Sequence, residues 1–193
     1  MGNSVSRKKS ASIRQKQIEE KVPHFAREMA PQRFIADVML GRLAKWLRIA
    51  GFDVLYSNKY SDEELIRISN SEGRVLLSRD TRLLVRKAVR QFVFLESQEL
   101  QKQLSQVFKT LHIETLPSPL TRCLSCNEPL NETARESVRS AVPAYVFETQ
   151  NYFKSCPKCG KVFWAGTHRN SAIRTLKLLM KSPVARLKED LIG

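Results

Sequence analysis

A chain of 193 residues, 42% of them hydrophobic, can bury one core of ordinary size and leave room for a small satellite module. A formal net charge of +14 and a pI near 10.0 suit a polyanionic partner, above all nucleic acid, although basic surfaces also serve solubility or acidic protein partners. The sequence has no run of about 18 apolar residues for a transmembrane helix and no apolar segment behind its basic start for a secretory signal; an intracellular setting, cytoplasmic or nuclear, is expected.

Residues 1–31 read as a basic, disordered tail. MGNSVS fits the N-myristoylation pattern, with Gly2 as the acceptor and Arg7, Lys8 and Lys9 as a second, electrostatic membrane signal, though so short a pattern also arises by chance. Residues 1–18 carry five basic and no acidic side chains, so a mitochondrial presequence is the alternative.

Regular patterning begins at residue 33. RFIA reads as a buried strand, and VMLGRLAKWLRIAG as an amphipathic helix closed by Gly51. DVLYS is a second strand. SDEELIRISNSEG is a second helix, opened by a Ser61–Glu64 capping box and ended by Gly73. RVLLS and DTRLLVRKAVR repeat the strand–helix pair, as do QFVFLE and SQELQKQLSQVFKTL. This alternation predicts an α/β domain over 32–116, with a parallel sheet and right-handed crossovers. PSPL (117–120) opens a second module, 117–169, in which VPAYVFETQNYF has a β-rich composition. NSAIRTLKLLMK predicts a basic C-terminal helix within 170–193.

Asp37 ends the first strand, Asp80 follows the third, and Asp62 opens the helix after the second. In a parallel sheet these turns share one edge, where ligands of open α/β sheets bind. Clustered carboxylates repel, and Mg²⁺ or Mn²⁺ relieves the repulsion while retaining waters and binding phosphate. Such a site suits metal-assisted phosphodiester hydrolysis. Glu96, after the fourth strand, is a further candidate; Asp53, before its strand, falls at the opposite edge. Each strand-end acid also sits at a helix N-terminus, where it would serve as a cap or favour the dipole.

Cys123 and Cys126 in TRCLSCN, and Cys156 and Cys159 in SCPKCG, are separated by 29 residues. Two such knuckles complete a tetrahedral, coordinatively closed Zn²⁺ site, structural in role; a thioredoxin-like redox pair is the rival. Residues 149–188 hold nine Lys or Arg and no Asp or Glu. Lys158, Lys161 and Arg169 in that run, with His168 beside them, are candidate RNA contacts. Phe163 and Trp164 would stack on bases or pack the module's own core. On the first helix, Arg42, Lys45 and Arg48 would flank a phosphate chain or solvate the outer face.

In this order, FIADVMLGRLAKWLRIAGFDV, RVLLSRD, TRCLSCN and CPKCGKVFWAGTH resemble a known family over about residues 33–170. It is the PIN-like RNase domain with a zinc ribbon, named after the C-terminal region of the Mut-seven exonucleases. The resemblance implies a PIN-like parallel sheet with flanking helices, a four-cysteine zinc ribbon and metal-dependent RNA cleavage. Asp37 and Asp80 match the family's strand-end acids, and Asp62 the acid opening the second helix. PIN nucleases commonly use four acids, and three stand out here. The expectation is a ribonuclease acting on single-stranded or structured RNA, with Mg²⁺ or Mn²⁺ on Asp37, Asp62 and Asp80. The alternatives are a non-catalytic RNA-binding or ribonucleoprotein assembly factor that keeps the fold, and a membrane-tethered adaptor.

Overall fold

Four short apolar runs become four parallel strands: β1 (Arg33–Ala36), β2 (Asp53–Tyr56), β3 (Val75–Ser78) and β4 (Phe92–Phe94). They lie side by side in the order β2-β1-β3-β4, with Phe34 opposite both Val54 and Val75. The computed structural model describes residues 32–181; the N-terminal tail with Gly2, and residues 182–193, lie outside them.

Strand alternation sorts the side chains to two faces. Phe34, Ala36, Val75, Leu77 and Val93 enter one core with α1 (Gly41–Ile49) and α4 (Leu100–Thr110). Ile35, Leu76 and Phe92 enter the other with α2 (Asp62–Glu72) and α3 (Thr81–Leu84). The result is a parallel sheet between two helical layers. The expected capping box is present: Ser61 Oγ accepts from Glu64 N–H, and Glu64 Oε2 accepts from Ser61 N–H.

Three local readings need correction. The first helix begins as a 3-10 turn over Val38–Leu40 before α1 starts at Gly41. DTRLLVRKAVR is helical only through Leu84; residues 85–88 are turns that still bring Val85 and Val89 onto the same core. VPAYVFET is helical rather than β: α5 (Ala144–Thr149) follows Pro143. Only Val146 and Phe147 of this six-residue helix are buried, too few for a helical period to show against the β-rich composition.

The second module has a three-stranded antiparallel sheet, β5 (Asn131–Thr133), β6 (Phe153–Ser155) and β7 (Val162–Trp164), over a core of Val138, Val142, Val146, Phe147 and Phe153. The last helix, α6 (Thr167–Lys181), returns to the first domain, where Leu176 and Leu179 join the core containing Phe34 and Phe108. The linker lies close over the end of α1: Leu120 N–H donates to the Ile49 carbonyl at 2.9 Å. Gly51, at φ +99°, is required there, since a Cβ would overlap the Ser118 carbonyl.

The second module also caps an exposed sheet edge. β2 is an edge strand, and the outward-facing peptide groups of Val54 need partners. Asn127 Oδ1 accepts from Val54 N–H at 2.9 Å, and the Arg48 guanidinium donates to the Val54 carbonyl at 2.8 and 3.0 Å. The same guanidinium donates to the Leu124 and Ser125 carbonyls, between the first two cysteines. Together, an α1 arginine and a ribbon asparagine stand in for the missing neighbour strand.

Candidate functional site

The sheet order reverses between β1 and β3, since β2 lies outside the former and β4 outside the latter. The carboxyl ends at such a switch point frame a crevice. Asp37 follows β1 and Asp80 follows β3, so both flank it.

Asp37 is only 6% exposed. Its Oδ1 accepts from Val38 N–H at 2.6 Å, and its Oδ2 accepts from Ser78 Oγ at 2.7 Å. Ser78 Oγ in turn accepts from Asp80 N–H at 2.9 Å, so one fully buried hydroxyl ties the two acidic loops together. Asp80 Oδ1 accepts from Arg82 N–H at 2.7 Å as the cap of α3. Capping is thus real for Asp37 and Asp80, and it holds both carboxylates in one orientation. Each carboxylate oxygen offers about two lone pairs, so these hydrogen bonds leave acceptor capacity for a cation.

Asp62 is the first residue of α2 and is exposed. Burial raises its pKa first, and the neighbouring Asp80 charge raises it further. Arg86, 3.7 Å away, opposes that rise, and Asp37 adds to it. The three carboxylates therefore share one electrostatic field. They do not close to ligand spacing as the cysteines do: among the described residues, the cysteines are the one set of three or more whose ligand atoms all lie within 4.8 Å of one another. Glu96 stands exposed past the outer strand β4, with its backbone N–H held by Gln106.

Ser78 escaped the sequence reading. Its signal was a hydroxyl ending an otherwise apolar buried strand, where a polar atom must find partners. Asp53 lies at the opposite edge as expected. Burial pushes its carboxyl up, but hydrogen bonds from Arg74 and Asn127 outweigh that and hold it below the ordinary value.

Among the candidate RNA contacts, Arg42 is exposed at the start of α1 and Lys45 one turn on. Arg48 is corrected. It is 4% exposed, and its donors are taken by three backbone carbonyls, so it faces no phosphate chain. Lys158 pairs with Glu128 at 3.4 Å, and Lys161 donates to Ser125 Oγ at 2.7 Å, both on the ribbon surface. The side chains of His168 and Arg169 lie outside the described residues. Phe163 is half-buried and Trp164 exposed; Phe147 and Phe153 supply the aromatic core instead.

The four cysteines are unpaired by disulfides, and Cys123 Sγ lies 3.7 Å from Cys159 Sγ across the two knuckles. Zn–S bonds of about 2.3 Å in a tetrahedron separate sulfurs by about 3.8 Å, so the donor set fits Zn²⁺. Each knuckle turns through a left-handed residue, Asn127 at φ +68° and Gly160 at φ +69°. The expected Gly160 is there, and Asn127 is one of the few side-chain residues that tolerates such a turn. The crowded thiols resist joint ionisation. Hydrogen bonding with Cys159, together with desolvation, pushes Cys126 up to about 12, while the Lys161 backbone N–H holds Cys159 down to about 7. A bound cation is the natural relief of that crowding.

No helix among the described residues is long and apolar enough to cross a membrane. Neither the curated proteins nor the solved structures hold a match to the chain. The family model for the Mut7-C RNAse domain matches residues 32–176, from the start of β1 into α6, past the expected limit near 170. Three quarters of the sequence thus follow one family pattern, through the parallel sheet and all four cysteines, and the chain belongs to the Mut7-C RNAse domain family.

Proposed function

We propose that the chain is a metal-dependent ribonuclease whose active site is the crevice between β1 and β3. The observation that carries this reading is the Asp37–Ser78–Asp80 linkage at the switch point, with the Asp62 carboxyl in the same field. Asp37 and Asp80 would hold Mg²⁺ or Mn²⁺, with Asp62 completing the site from α2. A divalent cation there lowers the pKa of a water and offsets charge on the phosphodiester. The chain's own contribution is rigidity. Val38 N–H and Ser78 Oγ fix the Asp37 carboxylate, and the Arg82 N–H fixes that of Asp80. Exposed cations such as Arg42 and Lys161 receive the RNA backbone. The ribbon, loaded with Zn²⁺, serves as scaffold. Calorimetric titration of zinc-loaded protein with Mn²⁺ tests the site: binding that is lost in Asp37→Asn and Asp80→Asn supports it, and binding unchanged in both overturns it.

A second reading rests on the same hydrogen bonds. The Asp37 and Asp80 carboxylates already serve as caps, and the acids stand farther apart than the cysteines. On that reading the chain is a non-catalytic RNA-binding or ribonucleoprotein assembly factor. Its RNA affinity would fall steeply with salt and ignore both divalent ions and Asp37→Asn.

A further inference from the structure

Two apolar side chains stand in solvent immediately beside the acidic crevice. Val38 is 39% exposed and Met39 is 62% exposed, and both belong to the 3-10 turn that follows Asp37. The turn is held in place. Leu40 N–H donates to the Asp37 carbonyl at 2.9 Å, and Tyr56 Oη donates to the Val38 carbonyl at 3.0 Å. Gly41 makes room for that tyrosine, since a Cβ there would lie 2.7 Å from Tyr56 Oη. The exposed pair is therefore presented by a fixed backbone on the rim of the crevice.

The surroundings say what would cover it. Arg42 follows the turn, Lys59 lies in the loop leading to Asp62, and Arg82 follows Asp80; all three are exposed. An apolar ledge flanked by cations at the carboxyl edge matches a partner with flat apolar faces strung on an anionic backbone. A nucleotide strand with an unpaired base has that chemistry, whereas a duplex hides its base faces by stacking. The polarizable thioether of methionine suits contact with an aromatic ring.

We infer that Val38 and Met39 form a base-contacting ledge that receives the unpaired nucleotide beside the scissile phosphate. This rests on the ribonuclease reading for the word scissile, but not for the contact itself. The ledge sets substrate affinity and selects unpaired over paired RNA. It takes no part in the chemistry.

The test uses the full-length, zinc-loaded protein with Met39→Ala and the conservative Met39→Leu. Fluorescence anisotropy measures binding of a labelled single-stranded oligonucleotide and of its blunt duplex, with no Mg²⁺ or Mn²⁺ added so that nothing is cleaved. Loss of one such contact should weaken single-strand binding about three- to tenfold in Met39→Ala. Met39→Leu should restore most of it, and duplex binding should not move. With Mn²⁺ present, KM for the single strand should rise by the same factor with kcat nearly unchanged. Equal single-strand affinity in wild type and Met39→Ala overturns the ledge, as do equal losses on strand and duplex or no single-strand binding by the wild type. If the wild type binds but never cleaves, the ribonuclease reading fails and the anisotropy result still decides the ledge.

Discussion

Replacing Arg48 by methionine keeps the apolar stem and removes every donor of the guanidinium. That group makes four hydrogen bonds, at 2.8–3.2 Å, to the carbonyls of Val54, Leu124 and Ser125. Hydrogen bonds to a charged group contribute about 1.5–3 kcal/mol each, but four from one side chain do not add. Removing the arginine also removes its own desolvation cost, which is what lowers its pKa despite the raising influence of the Cys123 and Cys126 thiols. A net loss of about 3 kcal/mol is the expectation, set mainly by three carbonyls left without this donor. For a chain of this length that is a fall in Tm of roughly 6–12 °C. Urea unfolding of zinc-loaded protein measures it, and a metallochromic dye during chelation reports zinc release. Arg48→Met should lose zinc faster, and its effect on stability should shrink once wild type is also stripped of zinc, because both perturbations undo the same docking. A change within about 0.5 kcal/mol, the ordinary range for surface substitutions, would refute the edge-capping role.

The acidic crevice gives two further expectations. The Asp62 pKa is raised in the fold, so its ionised form costs stability above that pKa, and the cost disappears once the group is protonated below its ordinary value. Asp62→Asn should therefore raise Tm slightly at neutral pH with no Mg²⁺ or Mn²⁺ added, the gain fading below about pH 4. Thermal melts across that window check the sign; a gain that grows on acidification would contradict it. Ser78→Ala strips a donor from Asp37 and an acceptor from Asp80 N–H, for a cost of about 1–3 kcal/mol in urea unfolding. Cleavage should fall with it while RNA affinity holds; full activity would remove Ser78 from the site.

Much of the domain was legible because local chemistry and global fold agree. Strand–helix alternation, the Ser61–Glu64 box, Gly51 and the paired knuckles each carry their own signal. The misses share a cause: residues whose role is set by a distant partner. Arg48 reads as one more cation on a basic helix, yet it follows Ala44 by four positions and adjoins Leu47 on the buried stripe. That spacing was available, but its partners lie 76 and 77 residues away. Asn127 looks like a knuckle residue, and only the sheet order shows that it caps β2. In α5, valine and aromatic composition outweighed any helical period, because the helix is six residues long and buries only Val146 and Phe147, the latter under the guanidinium groups of Arg135 and Arg139. The acids could be placed at one edge from topology alone, whereas their linkage through Ser78 required the β1–β3 pairing.

The most direct measurement is cleavage of labelled single-stranded and structured RNA by zinc-loaded protein, with and without added Mn²⁺ or Mg²⁺, beside Asp37→Asn of equal thermal stability. The account predicts products that require the added metal and vanish in the variant while its RNA affinity persists. Metal-independent products, products that survive Asp37→Asn, or binding without cleavage in both proteins across those substrates and metals would contradict it.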